Sequence, residues 1–62
     1  MIYQMIIKHL KDMQKSGTYI GTAIHYCTDN IFDLLHMHEA EGVSISALVN
    51  ICVKYGTQSD EV

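Results

Sequence analysis

The sequence has no arginine and no proline among its 62 residues, and it contains only two cysteines. Nucleic-acid binders usually carry a surplus of basic residues, whereas this chain has four lysines against seven acidic residues and a net charge of −3. The two cysteines, Cys27 and Cys52, do not by themselves make a disulfide framework. The apolar surroundings of Cys52 instead predict a reduced thiol that packs as a small hydrophobic residue.

The sequence also lacks a long hydrophobic run. No apolar stretch approaches the ~20 residues that a membrane-spanning helix needs, and the first residues lack the basic stretch of a signal peptide. We therefore predict a cytoplasmic protein with no membrane segment. The length allows one domain, predicted over residues 1–56 with a frayed polar tail at 57–62. A domain this small buries only ~60% of its unfolded surface, so the hydrophobic content is expected to include a homodimer interface.

Apolar residues recur at helical spacing in the first part of the chain. The stripe consists of Ile2, Met5, Ile6, His9, Leu10 and Met13. Lys8, Lys11 and Lys15 fall off this stripe and are expected to face water, which makes a local positive face possible despite the acidic total. Gly17 can take the left-handed position that ends the helix.

A second, short helix is predicted from Ser16 or Thr18 to Tyr26, with an inner face formed by Ile20, Ala23 and Ile24. Gly21 inside it indicates a close approach by another element. Because threonine is β-branched, a strand over residues 18–26 stays open as an alternative.

Two further helices follow. Thr28 or Asp29 is expected to cap the third helix, and residues 39–42 are expected to form a loop. The apolar positions of this helix are Ile31, Leu34, Leu35 and His38. Ser44 is the predicted N-cap of the fourth helix, with Val43 packed onto Leu48, and Gly56 is the predicted stop. The predicted buried stripe is Ile45, Leu48, Val49, Ile51, Cys52 and Tyr55. An all-α domain follows.

Residues 16–56 resemble the Cro/cI-type (XRE-like) helix-turn-helix family of phage and bacterial regulators. The residues that carry the resemblance are Ser16, Ile20, Gly21, Tyr26, Cys27, Thr28, Ile31, Leu34, Ser44, Ile45, Leu48, Ile51, Tyr55 and Gly56. The resemblance implies a small lambda-repressor-like domain of four to five helices. It also implies a transcriptional regulator that binds a short operator in double-stranded DNA as a dimer.

In such a regulator the third helix lies in the major groove with its N-terminal residues at base edges. By position these residues are Cys27, Thr28, Asn30 and Phe32. Ser16, Gly17 and Thr18 are expected to offer backbone N–H groups to a phosphate at the start of the second helix. Lys11 and Lys15 are expected to add two charges, although so few phosphate contacts predict weak binding.

The alternative hypothesis keeps this fold without DNA binding. The absence of arginine, together with Asp29 and Asp33 on the third helix, favours a module that binds and inhibits a protein partner, with an acidic face that mimics phosphates. No cofactor or metal is expected, because the four histidines lack the spacing of a zinc site. An enzyme is not expected either, since no nucleophile–base pair with an orienting third group occurs.

Overall fold

A computed structural model describes residues 2–58, and this part of the chain forms four helices. They are α1 (Ile2–Lys15), α2 (Ala23–Asp29), α3 (Ile31–Glu41) and α4 (Ile45–Gln58). No strand occurs between residues 2 and 58, so the prediction of an all-α domain is confirmed and the strand alternative is wrong. α4 packs chiefly against α2 and α1, whereas α3 contacts its neighbours least.

α1 buries one row of side chains in the core. Ile2, Ile6 and Leu10 are buried at a spacing of four residues, which places them on one side of the helix. The predicted stripe was too wide, because Met5 is 51% exposed and His9 is also exposed. α1 ends as predicted, since Gly17 adopts the left-handed conformation with φ of 90°.

The second helix begins later than predicted. Gly21 has a positive φ of 53°, which a right-handed helix does not accommodate, so residues 18–22 form an irregular connection and α2 begins at Ala23. Neither Ser16 nor Thr18 caps it. Ile20 is nevertheless buried, because the connection folds back over the core.

A single residue, Asn30, joins α2 to α3. Its side-chain amide donates to the carbonyl of Tyr26 at 3.0 Å and so completes the end of α2. Thr28 and Asp29 belong to α2 and do not cap α3, contrary to prediction. α3 continues through most of the predicted loop and ends at Gly42, whose φ is 70°.

The last helix begins as predicted and ends later. The N–H of Ala47 donates to the hydroxyl of Ser44 at 3.2 Å, which confirms Ser44 as the cap of α4. Gly56 is not a stop but a buried residue inside α4, and the helix continues to Gln58. Tyr55, predicted to be buried, is 46% exposed and stacks on Tyr26 with ring centroids 5.4 Å apart. The rest of the predicted tail, residues 59–62, lies outside the described residues.

Gly56 is needed where α4 crosses the start of α2. A Cβ atom at this position would lie 2.5 Å from both the backbone nitrogen and the Cα of Ala23. The carbonyl of Gly56 also accepts hydrogen bonds from the N–H and the hydroxyl of Thr22, at 3.2 and 3.0 Å. The start of α2 therefore supplies partners to the end of α4, where backbone carbonyls lack partners within the helix.

The core is one cluster between α1, α2 and α4. Its buried members are Ile2, Ile6, Leu10, Ile20, Ala23, Cys27, Leu34, Leu48, Val49 and Cys52. Leu34 is the only fully buried residue that α3 contributes. Because α3 gives the core so little, most of its length is left available at the surface.

Candidate interaction surfaces

Cys27 cannot contact DNA as predicted. Its side chain is completely buried in α2, within the same cluster as Cys52 of α4. Burial raises the pKa of the Cys27 thiol and raises that of Cys52 to about 12. Because a thiolate and not a thiol is the nucleophile, both side chains serve as core residues. The prediction that Cys52 is buried is thus confirmed.

The predicted phosphate cradle at residues 16–18 does not form. Its premise was a helix starting there, but these residues follow the end of α1. The N–H of Gly17 donates to Gln14 and that of Thr18 to Met13, at 3.1 and 2.9 Å. The N–H of Ser16 likewise donates back to α1. Backbone donors that already have partners in the chain are not free to bind an anion.

The remaining predicted base contacts are not equally accessible. The hydroxyl of Thr28 donates to the carbonyl of Ile24 and therefore accepts from the hydroxyl of Tyr3. Asn30 is half-buried, with its amide committed to α2. Phe32, in contrast, is 85% exposed in the first turn of α3. Of the four residues predicted at base edges, only Phe32 presents a large and unobstructed side chain.

Phe32 belongs to an acidic surface that we call the α3 outer face. It comprises Phe32, Asp33, His36 and Glu39, all of them exposed. The helical spacing places Phe32, His36 and Glu39 on the side of α3 opposite the buried Leu34, with Asp33 at the edge of this face. His36 lies 4.0 Å from Glu41, but both side chains are too exposed for this pair to contribute much stability. α3 carries three carboxylates and no lysine.

The predicted lysines lie on a surface of opposite sign, the α1 basic face. It comprises Gln4, Lys8, Lys11 and Lys15, all exposed. Beside them, Tyr3, Ile7 and Asp12 complete a shallow groove of about 470 Å³. No lysine forms an ion pair within residues 2–58. The fold therefore separates a basic face on α1 from an acidic face on α3.

A polar surface on α4 was not among the predicted contacts. Ser46, Asn50 and Lys54 are exposed, and their spacing of four residues aligns them along α4. The turn before α4 is fixed by left-handed Gly42 and by His38, whose Nδ1 lies 2.8 Å from the carbonyl oxygen of Val43. Gly42 and the capping Ser44 mark the start of α4 in the sequence and could have indicated this surface. The family resemblance instead placed the DNA contacts on the preceding helix.

Residues 2–58 contain no candidate metal centre, and the chain matches no family model. Within residues 2–58, no group of three or more histidine, cysteine or acidic side chains is placed to hold a metal ion. In the same part of the chain, no helix combines the length and apolar character needed to cross a membrane. No protein-family model, curated protein or solved structure matches this chain. The exposed side chains and charges of the faces on α1, α3 and α4 are therefore the features that indicate function.

Proposed function

We propose that the chain is a protein-interaction module that docks its α3 outer face onto a basic protein surface. The observation that carries this proposal is Phe32, a large aromatic residue that is 85% exposed on the helix that buries least. Aromatic residues are enriched at the centres of protein interfaces, where polar residues form a rim. Asp33, His36 and Glu39 lie next to Phe32 on its C-terminal side along α3 and would form part of such a rim.

Energetics support a docking role for Phe32. Full burial of a phenylalanine side chain contributes about 1.5–3 kcal/mol relative to its exposure to water. The fold forgoes this gain at position 32, whereas a partner surface could supply it. The half-buried Ile31 and Leu35 on the same helix would add apolar area at the edge of such a contact.

Electrostatics favour a basic protein over DNA as the partner of this face. Phosphate contacts supply a large share of DNA affinity, but the carboxylates of α3 would repel phosphates. The same carboxylates attract lysine and arginine side chains. An acidic helix can also occupy a nucleic-acid-binding surface in place of phosphates, so inhibition of a DNA-binding protein is a natural outcome of this chemistry.

The proposal is tested by placing a photo-crosslinking phenylalanine analogue at position 32 in the native host. The control carries the same analogue at Asn50, which is equally a solvent-facing helical position but lies on α4. We expect a discrete product from position 32 whose crosslinked peptide is rich in lysine or arginine, and none from position 50. Equal products from both positions, or none from position 32, would contradict the proposal.

DNA binding by a helix-turn-helix unit is the second candidate function. Its two helices would be α3 and α4, and not the pair that the sequence resemblance indicated. The observation in its favour is the turn of Gly42, Val43 and Ser44 between them, because helix-turn-helix units join two helices through a short turn that often contains glycine. α4 would then be the reading helix, with its exposed Ser46 and Asn50 near base edges. Asparagine can pair with adenine through two hydrogen bonds.

This candidate is tested by selection from a randomised duplex library at low salt, where electrostatic binding is strongest. We expect a dimeric regulator to enrich a two-fold symmetric site. Asn50→Ala should remove the sequence preference, whereas Asn30→Ala should cost only the hydrogen bond that ends α2. Without enrichment by the unaltered chain, the DNA-binding candidate fails.

A further inference from the structure

The acidic and basic faces of this chain are matched in length. Lys8 and Lys15 are seven residues apart on α1, which is about 10.5 Å at 1.5 Å per residue. Asp33 and Glu39 are six residues apart on α3, which is about 9 Å by the same rise. The three lysines of the α1 basic face can therefore lie opposite these two carboxylates along nearly the same distance.

The groove on the α1 basic face offers a site for an aromatic side chain. Half-buried Tyr3 and Ile7 provide its apolar wall, and the lysines border it. A phenylalanine placed there would contact a tyrosine ring and lysine ammonium groups, both of which interact favourably with aromatic rings. Asp12 also lines the groove and would repel an acidic partner, but the three lysines outnumber it.

We infer that the partner of the α3 outer face is the α1 basic face of a second copy of this chain. This inference rests on the proposed function and names its partner. Phe32 of one copy enters the groove of the other, and Asp33 and Glu39 lie near its lysines. Neither face is used by the fold itself, since these lysines form no ion pair within residues 2–58 and the α3 side chains are exposed.

The available surface is sufficient for such a contact. The accessible surface of one copy is 4246 Å², and a standard interface buries about 800 Å² of each partner. A contact of this size would cover roughly one fifth of the surface of each copy. Because the two faces differ, the contact occurs twice in a closed two-fold dimer, or it repeats around a ring or along an open chain.

The inference is tested by sedimentation equilibrium of the full chain at low and high salt. We expect self-association that weakens as salt rises, because it depends on exposed charges. Lys11→Glu and Glu39→Lys should each weaken it about tenfold or more, since close charge pairs across an interface have coupling energies of this size. The double variant should restore association. Lys54→Glu, which makes the same charge change on α4, should leave it unchanged.

A second variant distinguishes a loss of self-association from a loss of folding. Phe32→Ala removes a side chain that is 85% exposed in one copy, so the monomer should keep its helical circular dichroism while self-association weakens about tenfold or more. A chain that stays monomeric at all salt concentrations would overturn the inference. Self-association that is unaffected by Phe32→Ala and by the charge changes would overturn it as well.

The two proposals fail in different ways. If the chain is monomeric but the probe at position 32 crosslinks to another basic protein, the second-copy inference is wrong and the interaction function stands. If the crosslinked peptide comes from α1 of the same chain and contains Lys8 or Lys11, both stand. If the chain neither self-associates nor crosslinks from position 32, both are refuted.

Discussion

Replacing Gly56 by alanine is expected to push α2 and α4 apart at their closest approach. The added Cβ would lie 2.5 Å from two backbone atoms of Ala23, whereas ordinary van der Waals contacts fall at 3.4–4 Å. Backbone atoms cannot rotate away as the end of a side chain can, so the helices must separate by about 1 Å at this point. Gly56 has no positive φ, so alanine meets no backbone strain here, and any loss of stability measures the packing.

The expected loss of stability on Gly56→Ala has three contributions. Overpacking costs about 1–3 kcal/mol. Weakening the two hydrogen bonds from Thr22 to the Gly56 carbonyl adds about 1 kcal/mol for each bond lost. Alanine is better than glycine in a helix by about 1 kcal/mol, which offsets part of the cost. If both bonds are lost, we expect a net loss of about 2–4 kcal/mol, which corresponds to a fall in Tm of about 8–32 °C for a domain of this size.

Thermal and urea denaturation, followed by far-UV circular dichroism at one fixed protein concentration, measures this loss. Ser46→Ala, at an exposed position of α4, is the control and should change stability by no more than about 0.5 kcal/mol. Thr22→Val removes the hydroxyl that donates to the Gly56 carbonyl and should cost about 1 kcal/mol. If Gly56→Ala is as stable as the parent chain, the close approach of α2 and α4 is wrong.

Three further perturbations test the core, a cap and the buried thiols. Leu48→Ala should lower the free energy of unfolding by about 2–5 kcal/mol in urea titrations, because Leu48 is fully buried, and a benign result would refute the core. Ser44→Ala should cost about 0.5–2 kcal/mol by calorimetry through loss of its bond to Ala47, and no change would show that the cap contributes nothing. Because burial raises the pKa of Cys52 from 9.0 to about 12, the unfolded chain loses its thiol proton first, so stability should fall as pH rises from about 9 to 12. Urea titrations across that range should show a smaller decline for Cys52→Ala, and an equal decline would contradict a thiol origin.

Local sequence patterns were sufficient to predict much of the helical structure. The four-residue spacing of Ile2, Ile6 and Leu10 is readable from the sequence, as is the capping role of Ser44. Met5 and His9 fit the same periodicity but lie outside the core. Periodicity gives the direction of an apolar stripe, whereas its width depends on how closely neighbouring helices cover it.

Fewer of the predicted site residues than of the predicted helices are confirmed. Contacts with a ligand depend on which side chains stay exposed to solvent after the helices pack. Cys27 was predicted beyond the end of the second helix, but it belongs to α2 and is buried in the core together with Cys52 of α4. The predicted phosphate cradle failed because the left-handed Gly21 delays the start of α2. Phe32 and the lysines were expected to be accessible and are so, but their separation into two faces of opposite charge emerges only from the folded chain.

The sequence by itself determined that this chain is all-α, where its apolar stripes run, that Cys52 is buried and that α4 begins after Ser44. These properties arise from interactions within a few residues along the chain, namely helical periodicity and capping. The tertiary structure alone decided that Gly56 is a point of contact instead of a helix end, since that depends on Ala23, far away in the sequence. It also decided that α3 gives only Leu34 to the buried core and leaves Phe32 exposed, because burial is set by how the helices pack against one another.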